Sequence, residues 1–149
     1  MATGTGGGSP TEVLRRDHAR LAALLDDLLD AFRRGDREAL RDAWSRFEQG
    51  LLAHLETEER HVLPRIARVA PAEAEAIASE HEALRSRLED LGVGVDLHAV
   101  SLGAAEELAV TLRAHALREE RLLYRLADEE LDGPSRLALE QGLSGRKRP

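Results

Sequence analysis

The chain contains no cysteine. That excludes a disulfide framework, a cysteine zinc site, an iron–sulfur cluster and thiol catalysis. Aromatic residues are 3% of the total, and valine, isoleucine and threonine are few, so a β-sandwich or β-barrel has little to build from. No apolar run approaches the roughly 18 residues of a membrane span. The opening MATGTGGGSP lacks the basic start and apolar stretch of a signal peptide, so a cytoplasmic protein with no membrane partner is expected. There is one lysine, and the net charge is −7, which argues against nucleic acid as a partner. A monomer or weak homodimer is expected.

What remains is leucine, alanine, arginine and glutamate, the residues of a helical protein. A length of 149 residues suits one domain. Residues 1–8 are glycine-rich and read as a disordered tail, residues 9–142 as a helical bundle and residues 143–149 as a basic tail. Ser9-Pro10-Thr11-Glu12 reads as a helix start with a capping box, and Gly35 as its stop after Arg34. Asp36 can cap a second helix that continues to about Val69, with Pro64 kinking or shortening its last turns. Pro71 opens a third helix that ends at Gly92, and GVGVDL reads as a loop. The fourth runs from about His98, a surface or cap residue, to Leu131. A short fifth helix covers residues 135–142. Apolar stripes at Leu21, Leu25 and Leu28, at Phe47 and Leu51, at Ile77, Leu84 and Leu88, and at Leu108 and Leu112 recur at the helical period. With short connections, these stripes predict an all-α, up-down-up-down antiparallel four-helix bundle.

The sequence also repeats itself. DHARLAALLDDL over residues 17–28 aligns with EHEALRSRLEDL over 80–91, so that His18 falls on His81 and Leu21 on Leu84, 63 residues on. HLETEER over 54–60 aligns with HALREER over 115–121, so that His54 falls on His115 and Glu58 on Glu119, 61 residues on. Two copies of a helical hairpin are therefore expected about a pseudo-twofold axis. The repeat carries polar residues on apolar stripes. Side chains at i and i+4 differ by about 40° in direction and about 6 Å in height, so His54 and Glu58 share a face, as do His115 and Glu119.

Four imidazoles and two carboxylates thus point into the interior from four helices. Burying an unpaired carboxylate costs several kcal/mol even after relaxation. Metal ions would compensate. Two copies of one histidine plus one His-x-x-x-Glu are the ligand inventory of a dinuclear site with two histidines per metal and both glutamates bridging. Nitrogen and oxygen donors without sulfur suit iron or manganese, with zinc as a further option. The alternative is a set of polar residues facing solvent or satisfied in a metal-free core.

His18, His54-x-x-x-Glu58, His81 and His115-x-x-x-Glu119 resemble the H…HxxxE…H…HxxxE pattern of hemerythrin-like proteins, the HHE cation-binding family. Trp44-x-x-Phe47 ahead of His54, and Glu119-Glu120 ahead of Leu123-Tyr124, are also similar to that family. The resemblance covers roughly residues 12–131. It implies a non-haem di-iron centre in a four-helix bundle. On this mapping His18 and His54 bind one iron, His81 and His115 the other, and Glu58 and Glu119 bridge them with an oxo or hydroxo ligand. The chain departs from the oxygen carriers of the family in two ways. Arg85 stands where they have a second histidine on the third helix. The last His pairs with Glu119 at a spacing of four, where they have an aspartate at five. Fewer protein ligands per iron imply more open positions, which favour chemistry on peroxide, O₂ or NO over reversible O₂ carriage. Binding or sensing of O₂, NO or iron without turnover, and a metal-free helical interaction module, are the alternatives.

Other polar residues divide between roles near the metals and ordinary ones. His61 lies seven residues after His54 and can share its face, but its repeat partner is Leu122, which favours an edge histidine. Glu59 and Glu120 could accept from ligand imidazoles. Each points about 100° from its neighbouring glutamate, which favours a solvated face. Arg85 could reach the site, but Glu82 and Glu89 offer an ordinary helix-surface ion pair. Tyr124, five residues past Glu119, is expected well off the metal face, and Phe32, Trp44 and Phe47 are expected in the core. His81-Glu82-x-x-Arg85 lacks the second histidine of a zinc protease helix, and GTGGGSP lacks the Lys-Ser/Thr of a phosphate loop.

Overall fold

A computed structural model describes residues 8–97 and 101–144. The expectations placed on residues 1–7, on His98 and on residues 145–149 lie outside the described residues. The described chain is all-helical: α1 (Pro10–Arg34), α2 (Arg37–His61), α3 (Leu63–Val69), α4 (Pro71–Asp96), α5 (Leu102–Arg118), a π-helical turn (Glu119–Leu123), α6 (Tyr124–Glu130) and α7 (Gly133–Ser144). Among the described residues, no helix is long and apolar enough to cross a membrane.

The local chemistry of the ends explains most boundaries. Ser9 Oγ accepts from the Glu12 backbone N–H, and the Glu12 side chain accepts from the Ser9 N–H, completing the expected capping box. Gly35 ends α1 in the left-handed conformation, φ +68°, and Asp36 then caps α2 by accepting from Ala39 N–H.

Three boundaries differ from expectation. The second helix breaks at Val62, and Pro64 sits in the first turn of α3, where its missing N–H costs nothing. The third helix does not stop at Gly92; it continues through GVGV to Asp96. Leu91 and Val95 are buried, and a side chain at Gly92 would meet the Trp44 ring, so packing overrides glycine's weak helix propensity. The fourth helical segment begins at Leu102, capped by Ser101 Oγ accepting from Ala104 N–H.

Two apolar clusters divide the interior. The upper one is built on Leu21, Leu25, Phe47, Leu51, Leu84, Leu88, Leu108 and Leu112, with Trp44 buried in it and Phe32 packed against it. The lower one is built on Leu14, Val62, Ile66, Ile77, Leu123 and Leu139, the last from α7. Along α1 and α4 the repeated histidines fall between these clusters, His18 between Leu14 and Leu21 and His81 between Ile77 and Leu84, and Glu58 falls between Leu55 and Val62. The bundle thus holds one polar layer at a common level, with helix-on-helix packing above and below. Gly35→Ala should cost about 1 kcal/mol, because the left-handed conformation penalises a Cβ. Urea denaturation of the two proteins measures this, and an unchanged midpoint would contradict it.

Candidate metal centre

Glu58 and Glu119 are fully buried, and each divides its two oxygens between two sets of imidazoles. Glu58 Oε2 lies 3.0 Å from His54 Nε2, and its Oε1 lies 3.1 Å from His81 Nε2. Glu119 Oε1 lies 3.1 Å from His18 Nε2, and its Oε2 lies 3.2 Å from His81 Nε2 and 2.9 Å from His115 Nε2. Two groups result, His18–His54–Glu58–Glu119 and Glu58–His81–His115–Glu119, each with its donor atoms within 4.8 Å of one another. Both groups share both glutamates. All six residues named from the repeat are brought together in this way.

The fit to metal ions can be tested on hydrogen bonding. Buried polar atoms nearly always find a partner. Glu58 Oε1 and His115 Nε2 are buried and have none, although imidazole and carboxylate atoms stand about them at contact distance. A dication in the second group would satisfy the atoms that hydrogen bonds leave out, whereas in the first group Tyr124 Oη contacts His18 Nε2, Glu58 Oε2 and Glu119 Oε1; nitrogen plus carboxylate donors suit iron, manganese or zinc.

Each imidazole is fixed from behind. His54 Nδ1–H donates to Asp17 (2.8 Å), His81 Nδ1–H to Glu59 (2.8 Å), His115 Nδ1–H to Glu80 (2.6 Å) and His18 Nδ1–H to Glu120 (2.9 Å). Every Nδ1 therefore carries a proton toward a carboxylate, and every Nε2 faces the centre. Arginines hold these carboxylates in turn. Arg20 donates to Asp17, Arg85 donates through two nitrogens to Glu59, and Arg118 donates to Glu80. Arg15 stands 3.7 Å from Glu120.

Several expectations change here. Glu59 and Glu120 are not on a solvated face; each crosses to the imidazole of the other hairpin. Arg85 pairs with Glu59 rather than lying as a surface pair with Glu82 and Glu89. His61 is half-buried at the end of α2, in neither group. Asp17 and Glu80 were missed. Their signal was in the repeat, where an acidic residue precedes each lone histidine. Tyr124 was placed off the metal face and is instead at its centre. Its hydroxyl donates to Glu58 Oε2 at 2.7 Å, and the same oxygen lies 2.7 Å from His18 Nε2 and 3.0 Å from Glu119 Oε1. The cause is the π-helical turn Glu119–Leu123. Its wider winding rotates a residue at i+5 back toward the face of residue i, and π turns of this kind cluster at functional sites.

Charge in the metal-free chain follows from this packing. Burial works against a charged His81, but its hydrogen bond to Glu119 and the close carboxylates of Glu58 and Glu119 overcome it and push its pKa up to about 10. Burial likewise opposes charge on His54 and His115. Glu58 and Asp17 overcome it at the first, Glu119 and Glu80 at the second, and both are raised. Burial also opposes charge on Glu119, yet Glu58 and the imidazoles of His115, His18 and His54 around it hold it well below the usual range. For Tyr124, burial and then the charges of Glu119 and Glu58 raise the phenol, which keeps its proton. Protons thus occupy the positions that cations would take.

The raised imidazoles stabilise the metal-free fold fully below their ordinary value of 6.5, and that stability is lost as pH climbs through the folded values, about 10 for His81. Metal-free protein should therefore lose stability steadily from pH 6.5 to 10. Metal-loaded protein, whose Nε2 atoms are already deprotonated, should not, and loading at neutral pH should release protons. Urea melts across this range with and without chelator, and proton release in weakly buffered solution, check both. Identical pH profiles with and without metal would contradict the assignment.

The family profile of the hemerythrin HHE cation binding domain matches residues 9–127, which contain every residue of both groups and the four carboxylates behind them. No curated protein and no solved structure matches the chain. The repeat, the shared glutamates and the profile agree, and the chain belongs to the hemerythrin HHE cation-binding domain family.

Proposed function

We propose that the chain is a two-metal protein, with iron as the resident metal, that acts on small oxidants such as peroxide, O₂ or NO. The helices form an up-down-up-down bundle of two related hairpins. His18 and His54 hold one ion and His81 and His115 the other, with Glu58 and Glu119 bridging. The observation that carries this reading is the split of each glutamate's two oxygens between the two imidazole pairs. A carboxylate satisfied by ordinary hydrogen bonds has no reason to divide itself so between two symmetric sets.

An iron pair, when bound, supplies Lewis acidity and one-electron redox steps. The protein's own residues do the rest. The four Nδ1–H bonds to carboxylates fix the tautomer of every ligand imidazole and raise its basicity. The two apolar clusters exclude water above and below the layer, which strengthens each charge interaction inside it. Tyr124 holds a proton at Oη beside both bridging carboxylates, poised to donate to an oxygen or nitrogen atom that arrives on the His18–His54 side. The protein has two imidazoles for each ion and no further nitrogen donor within either group, which leaves positions for an outside molecule.

Protein from iron-supplemented cells should contain about two iron atoms per chain, read by elemental analysis, with near-ultraviolet charge-transfer absorption. His54→Ala should abolish that absorption and any peroxide decay. A folded protein free of metal would overturn the reading, and reversible spectral change on O₂ without turnover would assign binding instead of reaction. Asp17→Asn removes the charge behind His54 while leaving the shape intact. It should weaken metal affinity by roughly 10–100-fold in a competitive chelator titration; unchanged affinity would show that the Asp17–His54 bond does not tune the site.

A further inference from the structure

The helix α5 buries Leu108, Leu112 and His115 and turns its opposite face to solvent. On that face stand two large apolar residues, Val110 at 64% and Leu117 at 51% exposure, with Ala114 exposed between them. Seven residues make nearly two helical turns, so Val110 and Leu117 differ by about 20° in direction and about 10 Å in height. The internal repeat supplies a comparison. By the offset of 61, the same places on α2 hold Gln49 and Glu56, both exposed. The fold accepts polar residues there, whereas valine and leucine on α5 leave apolar area in water that neither core cluster uses.

Charge on this face is arranged by sign. Glu106 is exposed one turn before Val110, and Arg121 is exposed one turn after Leu117. Glu106 lies 3.6 Å from Arg33, in a pair whose members are both half-exposed and so weakly held. Among the described residues, Arg121 has no ion pair. About its midpoint between Arg113 and Ala114, the strip has an acid and a valine on one side, and a leucine and a base at matching distances on the other. Turned end for end, it complements itself: Val110 opposes Leu117 and Glu106 opposes Arg121. A parallel copy would set acid on acid and base on base.

We propose that the outer face of α5 is the interface of a symmetric, antiparallel dimer of this chain. The contact is isologous, so the apolar pair and the ion pair are each made twice about a twofold axis. Ala114, beside the axis, has no bulk to hold the two backbones apart. Arg113 of each copy comes near the other at the edge of the strip, and like charges there oppose the contact. One helix on one helix also falls short of the roughly 1,200 Å² that a stable interface buries. The dimer is therefore weak and forms at high protein concentration. It does not depend on the two-metal reading, since none of its residues is in either donor group.

Sedimentation equilibrium of the full-length protein should show a monomer that dimerises as concentration rises toward about 1 mM. Val110→Gln and Leu117→Glu put on α5 the residues that α2 carries at the equivalent positions. Each should leave the circular dichroism spectrum unchanged and the protein monomeric throughout. Glu106→Arg and Arg121→Glu should each weaken dimerisation roughly tenfold, since each turns two attractions into repulsions. Together they should restore it, because both ion pairs re-form with the signs exchanged. Arg113→Ala should tighten it. A parent that stays monomeric at about 1 mM overturns the proposal. So does a dimer that survives Val110→Gln and Leu117→Glu, or a double charge exchange that associates no better than its two parts.

Discussion

Two carboxylates in the middle of a bundle set the terms for everything around them. Glu58 and Glu119 have no exposure to water, and an isolated buried anion is unfavourable by several kcal/mol. The chain answers with four imidazoles, one from each of the long helical stretches. In the metal-free state His54, His81 and His115 gain protons that they would not hold in water at neutral pH, as His81 shows most clearly. A dication is the better answer, because it satisfies several oxygen and nitrogen lone pairs at one point, whereas an imidazolium offers one proton along one line. The unpartnered Glu58 Oε1 and His115 Nε2 mark where that directional answer falls short.

The same constraint propagates outward in layers of alternating charge. Glu58 and Glu119 face imidazoles, the imidazoles face Asp17, Glu59, Glu80 and Glu120, and those carboxylates face Arg20, Arg85, Arg118 and Arg15. The alternation runs from the buried centre to half-exposed arginines, so the low-dielectric interior never holds one sign alone. It also ties the hairpins together. Glu59 of the first grips His81 of the second, and Glu120 of the second grips His18 of the first. The inner cluster and the inter-hairpin contacts are one network.

Much of this was legible in the sequence, and the limits have physical causes. Ser9, Gly35 and Asp36 act through local geometry, so their caps could be read directly. His18, His54, Glu58, His81, His115 and Glu119 could be placed on the interior faces because helical period and an internal repeat both constrain them. The continuation of α4 through Gly92 could not be read, since it goes with the burial of Leu91 and Val95 against residues distant in the chain. Glu59 and Glu120 were assigned by direction on their own helix, but a glutamate side chain is long enough to reach across to a neighbour, and angle alone does not settle its destination. Tyr124 cannot be placed by the α-helical period, because the segment before it winds as a π turn and nothing in EERLL announces that change.

The departures from symmetry carry as much meaning as the repeat. The paired histidines and glutamates, the carboxylates behind them and the flanking leucines recur in both halves. Tyr124 falls opposite Leu63, Ala22 opposite Arg85, and Ala116 opposite Leu55. All three differences act on one side: they put a phenol proton beside His18 and remove the bulk that covers His81. The π turn belongs to the same set, because it brings Tyr124 in, while the matching place in the first hairpin is the break at Val62 that leads into α3. A duplicated hairpin is sufficient to build two equivalent donor groups, and these differences break the equivalence where the His18 imidazole is closest to solvent.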